Sequence, residues 1–170
     1  MWSPERRRAL RGLALAGAAA SLASCGFKLR RPPELHFRTV QFVGFDRRSE
    51  FARELQRNIE ASGSTRVVEA ASQAQVILLV IADRRERIVT AQAAAGQVRE
   101  FAVRTRFNFA LRTPGGRELI GPTELLLERA MTYNETDALA KEKEEEMLWR
   151  AMQTDIVDQV MRRLAAVPAV

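Results

Sequence analysis

One thiol and one imidazole bound the chemistry open to this chain. Its 170 residues include a single Cys, Cys25, and a single His, His36. A Ser–His or Cys–His pair for nucleophilic catalysis would have to use His36, and no Asp, Ser or Cys motif surrounds it. His36 therefore reads as a surface or packing residue. A zinc site of several Cys and His ligands and an internal disulfide are both excluded by the counts. The run Lys141-Glu142-Lys143-Glu144-Glu145-Glu146 offers paired carboxylates, the groups of acid–base catalysis. At this density they read as a solvated helix face, with glutamates near a favourable helix N-terminus. No phosphate loop and no GxGxxG is present. The expectation is a protein that is not an enzyme and holds no metal or cofactor.

Cys25 closes a segment of three zones. Arg6, Arg7, Arg8 and Arg11 make the start basic; residues 12–20 are apolar and small; then comes Leu22-Ala23-Ser24-Cys25. The apolar stretch is far shorter than the roughly 20 residues that span a bilayer, so it fits a secretory signal better than a short membrane anchor. Leu22-Ala23-Ser24-Cys25 resembles the bacterial lipobox. That resemblance implies cleavage before Cys25, diacylglycerol on its thiol and an acyl chain on its new amino group. Two or more acyl chains hold a protein on a membrane where one does so only marginally. Gly26 follows, where an Asp would by resemblance retain a lipoprotein at the inner membrane. The expected address is the periplasmic side of the outer membrane, its inner leaflet. Arg7-Arg8 also faintly resembles a twin-arginine signal; ordinary export is the preferred reading. The expected organisation is a signal peptide over 1–24, a lipidated Cys and extended tether over 25–36 with Pro32-Pro33 stiffening it, and one domain over 37–167.

Charge is unevenly placed. The chain carries 27 Lys and Arg against 21 Asp and Glu, a formal +6. The first eleven residues hold four of the arginines and one acid, so the remainder is only +3. Residues 84–112 alone hold seven arginines against two glutamates, or +5. Arginine suits bidentate contact with phosphate. Nucleic acid is not expected as a partner of an exported lipoprotein, which leaves anionic lipid, or a solvated sheet face whose charges pair across strands.

These residues need a scaffold, and the patterning supplies one. Residues 37–43 are β-prone and end at Gly44. Residues 49–62 carry Phe51, Leu55 and Ile59 four apart, with Gly63 after them, which predicts an amphipathic helix with a glycine stop. Residues 65–69 are a short β-prone stretch, so strand, helix and strand suggest a right-handed crossover. Val76 to Ile81 is a continuous apolar run, the mark of a strand buried on both faces at its start, before residues 83–90 turn polar. Residues 91–96 form a small-residue turn. From Phe101 the alternation is clean: Phe101, Val103, Thr105, Phe107, Phe109 and Leu111 point one way, and Arg104, Arg106 and Arg112 the other. Residues 113–116 turn, and residues 117–132 return as a strand with a bulge or edge at Gly121-Pro122. A long helix over about 136–166 presents Leu148, Trp149, Met152, Ile156, Val160 and Leu164 as one stripe. The expected fold is α+β: a two-layer sandwich, an about four-stranded mixed sheet with two helices on one face.

Several segments together resemble the lipopolysaccharide-assembly lipoprotein family (LptE). They are Cys25-Gly26-Phe27-Lys28-Leu29-Arg30, Gly96-Gln97-Val98-Arg99-Glu100-Phe101, and Asp137-Ala138-Leu139-Ala140-Lys141-Glu142 with Glu145-Glu146-Met147. The resemblance implies a plug inside a large outer-membrane β-barrel partner (LptD-like). Plug and barrel would together set lipopolysaccharide in the outer leaflet. It also implies contact with lipopolysaccharide, and Lys141 matches the basic position of the family's helix motif; Lys141 could complete an anion site at the helix start or pair with Glu145 one turn on. With the strand arginines, the candidate lipopolysaccharide-binding residues are Lys141, Arg104 and Arg106. The alternative is a free lipoprotein that binds or shuttles an acyl lipid.

Overall fold

A computed structural model of the chain describes residues 33–46, 48–94 and 96–169. Cys25, the expected signal segment and all but the end of the expected tether lie outside these residues. The elements run β1 Thr39–Val43, α1 Glu50–Ala61, β2 Arg66–Val68, β3 Val76–Gln92, β4 Val98–Arg112, β5 Glu118–Thr132 and α2 Ala138–Ala165. One sheet collects the five strands in the order β2-β1-β3-β4-β5. β1 pairs in parallel with β2 and β3, and β3–β4 and β4–β5 are antiparallel. The fold is thus mixed α+β with two helices.

The strand count of about four becomes five because β2, only three residues long, still pairs with β1 as an edge. The polar stretch 83–90 is continuous with the apolar run before it: β3 runs 17 residues from Val76 to Gln92. Its burial falls away along its length, from a buried start to an exposed end.

Local signals account for the element ends. Ser49 caps α1, its Oγ accepting from the Ala52 amide at 3.3 Å, which satisfies a backbone donor the helix leaves free. Gly44, at φ +82°, ends β1; a Cβ there would lie 2.4 Å from the Val80 carbonyl oxygen, so only glycine fits this approach. The long helix begins two residues later than the pattern suggests. Residues Glu135–Asp137 form a 3-10 turn instead, with the Asn134 side chain accepting from the Thr136 amide at 3.2 Å.

The core has two parts. The larger joins Leu55 and Ile59 of α1, Ile156, Val160 and Leu164 of α2, and Val40, Val76, Leu78, Phe107, Phe109 and Leu111 of the sheet. Phe51 of α1 packs on Phe107, ring centroids 4.4 Å apart and the rings tilted by 35°. The smaller holds Phe101, Val103, Met131 and Met152, with Leu148 and Trp149 half-buried against it. The predicted stripe on α2 therefore does turn toward the sheet, and Leu148 does so less completely than Ile156.

Candidate functional site

The arginines of residues 84–112 are positioned by one hairpin, β3–β4. On β4 the alternation holds: the odd residues from Phe101 to Leu111 are buried, and Arg104 and Arg106 are only half so. On β3 an irregularity between Val80 and Ala82 resets the parity. Before it Val76, Leu78 and Val80 enter the core; after it Arg85 and Arg87 pair with the inward Thr105 and Val103, while Arg84 and Glu86 pair with Arg106 and Arg104. The basic cluster of the sequence is therefore divided between two faces of the sheet.

Arg85 and Arg87 lie on the helix side. Arg85 donates to Gln153 Oε1 at 2.7 Å, and its guanidinium lies 5.8 Å from the Trp149 ring. Arg87 donates to Glu145 at 3.2 Å and sits 4.5 Å over the Phe101 ring. Both hold the hairpin to α2, by charge-assisted hydrogen bonds and cation–π contact.

Arg104 and Arg106 share the other face. Arg104 Nε and Nη2 meet Glu128 Oε2 at 2.8 and 2.7 Å, and Arg106 reaches Glu124 at 3.2 Å. Across β3 the row through Arg104 ends on Glu86, whereas the row through Arg106 meets Arg84, a like charge. Three arginines face three glutamates here, so this face is balanced rather than cationic. The pairs are part-exposed and therefore weak and exchangeable. Leu126, about half exposed, lies among them opposite Arg106.

Lys141 is not gathered with these arginines. Its Nζ donates to Thr132 Oγ1 at 3.1 Å and to Glu144 at 2.8 Å. Thr132 is four residues beyond Glu128, about 13 Å along β5. Glu145, one turn on from Lys141, accepts from Arg87 and from Trp149 Nε1. The structure thus brings Arg104 and Arg106 together and leaves Lys141 at the end of the sheet. His36 is exposed.

Sequence reasoning missed a polar network between the two parts of the core. Gln153, 8% exposed, donates to Glu54 of α1 and accepts from Arg85 of β3. Glu54 also accepts from Thr154 at 2.8 Å. Beside this belt Thr105 is buried and its Oγ1 has no hydrogen-bond partner among the described residues. The one signal was a glutamine inside an apolar stripe, next to Met152. The cleft between the helices is lined by Arg53, Arg57 and Arg150 but also by Glu50 and Glu54, so its charge nearly cancels.

The carboxyl of Asp83, on β3 beside Phe107, is raised from its ordinary value by lost hydration, an effect that Arg85 partly offsets. Among the described residues no group of three or more His, Cys, Asp or Glu could hold a metal, and no helix is long and apolar enough to cross a membrane.

The family model for lipopolysaccharide assembly, LptE, matches residues 37–164. Among solved structures, that of the uncharacterized lipoprotein B from Nitrosomonas europaea is 32% identical with a TM-score of 0.69, covering 83% of this chain and 91% of that one. The rare lipoprotein B from Shewanella oneidensis is 23% identical, TM-score 0.64, over 75% of this chain and 94% of that one. A minor lipoprotein from Acinetobacter baumannii, 15% identical with a TM-score of 0.61, covers 81% and 98%; at such identities the likeness is one of fold. A search of curated proteins finds no match. The family match runs from the start of β1 almost to the end of α2, and with it the chain belongs to the LptE family of lipopolysaccharide-assembly lipoproteins.

Proposed function

We propose that this chain is an outer-membrane lipoprotein, held on the inner leaflet by acyl chains on Cys25, that plugs and helps assemble a β-barrel lipopolysaccharide translocon. The observation that carries this reading is the family match over residues 37–164, the whole of the sheet and nearly all of both helices. The lipobox-like Leu22-Ala23-Ser24-Cys25 supplies the anchor. We read the arrangement as two layers, with both helices on one face of the sheet, because both feed one core cluster with strand residues of the same parity. The other face, with its Arg–Glu rows and Leu126, is then open to a partner or ligand.

In this reading the barrel is an LptD-like subunit, and lipopolysaccharide meets the plug through Lys141, Arg104 and Arg106. Supporting this, a guanidinium that forks onto a carboxylate also fits phosphate, and the Arg104 and Arg106 pairs are exposed enough to exchange. No catalytic step is assigned to any residue.

Purification of the full-length chain from its membrane in detergent tests this. A large barrel protein in a stable one-to-one complex is the expected result. A chain that instead purifies alone with a bound acyl lipid would favour the shuttle.

A further inference from the structure

The two parts of the core are not joined by apolar contact along α2. Between Met152, in the smaller cluster, and Ile156, in the larger, lies the belt of Gln153, Glu54 and Arg85. Thr105 marks the same boundary on β4, between Val103 and Phe107, and its buried hydroxyl is unpaired. On one side of this line α2 is deeply seated: Ile156, Val160 and Leu164 are fully buried. On the other side, residues 138–151 include no buried side chain, and Leu139 and Met147 are 78% and 62% exposed.

What holds the first half of α2 on the sheet is mostly electrostatic. Arg87 reaches Glu145 at 3.2 Å, and Lys141 reaches Thr132 at 3.1 Å. Leu148 and Trp149 add half-buried contact. Exposed ion pairs contribute little and are screened by salt. Regions with few buried apolar contacts open at lower free energy than the rest of a domain.

We propose that residues 138–151 form a separately opening segment, which unseats from the strand ends as a unit while residues 153–165 stay fixed. Gln153 is its boundary: it ties α2 to both α1 and β3 beside Met152, the first buried side chain of the helix. Opening uncovers Phe101, Val103 and Met131 and carries Lys141 away from Thr132. The main core keeps all its contacts, so this half-helix can rearrange on a partner without unfolding the domain. This opening does not depend on the translocon reading.

Native-state hydrogen exchange, read by mass spectrometry on the full-length protein in detergent, tests it. Amides of residues 142–151 should exchange at least about tenfold faster than those of residues 156–165, as sub-global opening requires. Raising salt from about 0.05 M to about 0.5 M should speed the first group and leave the second unchanged. Glu145→Gln, at an exposed pair, should do the same at low salt. Thr105→Val, which replaces the unpaired hydroxyl by a methyl and joins the two clusters, should slow the first group. Equal protection of the two halves, or exchange of residues 142–151 indifferent to salt and to both substitutions, would overturn the proposal.

Discussion

Arg104 places Nε and Nη2 on one oxygen of Glu128, at 2.8 and 2.7 Å, across 24 positions of sequence. The guanidinium that sequence marks as a phosphate ligand is thus already held by a carboxylate. A phosphate group must displace Glu128 or share the arginine with it. Removing the competitor should help. Glu128→Gln is expected to tighten lipopolysaccharide binding, and Arg104→Glu to weaken it, both more at low salt than at high salt. Glu128→Gln should change stability by no more than about 0.5 kcal/mol, as at exposed positions generally. Arg104→Glu sets a carboxylate between Glu86 and Glu128 and should cost more while leaving the fold intact. A binding titration with circular dichroism on the same samples checks this. Weaker binding by Glu128→Gln would assign the pair to structure alone.

The α2 stripe is deepest toward its C-terminal half. Ile156 is fully buried against the main core, so Ile156→Ala is expected to cost about 2–5 kcal/mol in urea unfolding. Leu148 packs half-buried on the smaller cluster. Leu148→Ala should cost roughly 1 kcal/mol, below the range for full burial. Equal losses would contradict the division of the core.

Asp83 makes stability depend on pH. Its carboxyl is raised in the folded chain by lost hydration, so the folded state holds its proton more tightly than the unfolded chain does. The stabilising contribution is therefore complete below the unfolded value, about 3.9, and is lost as pH rises through the higher folded value. Asp83→Asn, which cannot ionise, should be more stable than the native chain at neutral pH. The difference should shrink as the pH falls through the raised folded value toward about 4. Parallel urea titrations at the two pH values measure it, and a constant difference would remove Asp83 as the cause.

Cys25→Ser should leave the domain folded and release it from the membrane. Cys25 is the only thiol in the chain, closes a lipobox-like sequence, and precedes the family match over residues 37–164. Intact-mass measurement of the mature native protein should find acyl chains on a chain that begins at Cys25. An unmodified chain cut elsewhere would refute the assignment.

Short-range periodicity made most of the fold legible. The four-residue spacing of Phe51, Leu55 and Ile59 wrote α1, and strict alternation from Phe101 to Leu111 told the inside of β4 from the outside, because a side chain's direction follows local backbone geometry. A unique Cys in its motif marked the expected anchor for the same local reason. Pairing is not local. Whether Arg104 meets Glu128, and which face of β3 carries Arg84 rather than Arg85, depends on the register of three strands and on one irregularity after Val80. The sequence counted seven arginines together; the sheet divided them between two faces and gave Arg104 and Arg106 carboxylate partners. Gln153 and Glu54, 99 positions apart, meet only because two helices pack side by side. Hydrophobic spacing along one element holds no information about such a meeting, since it is set by how separate elements bury their faces against each other.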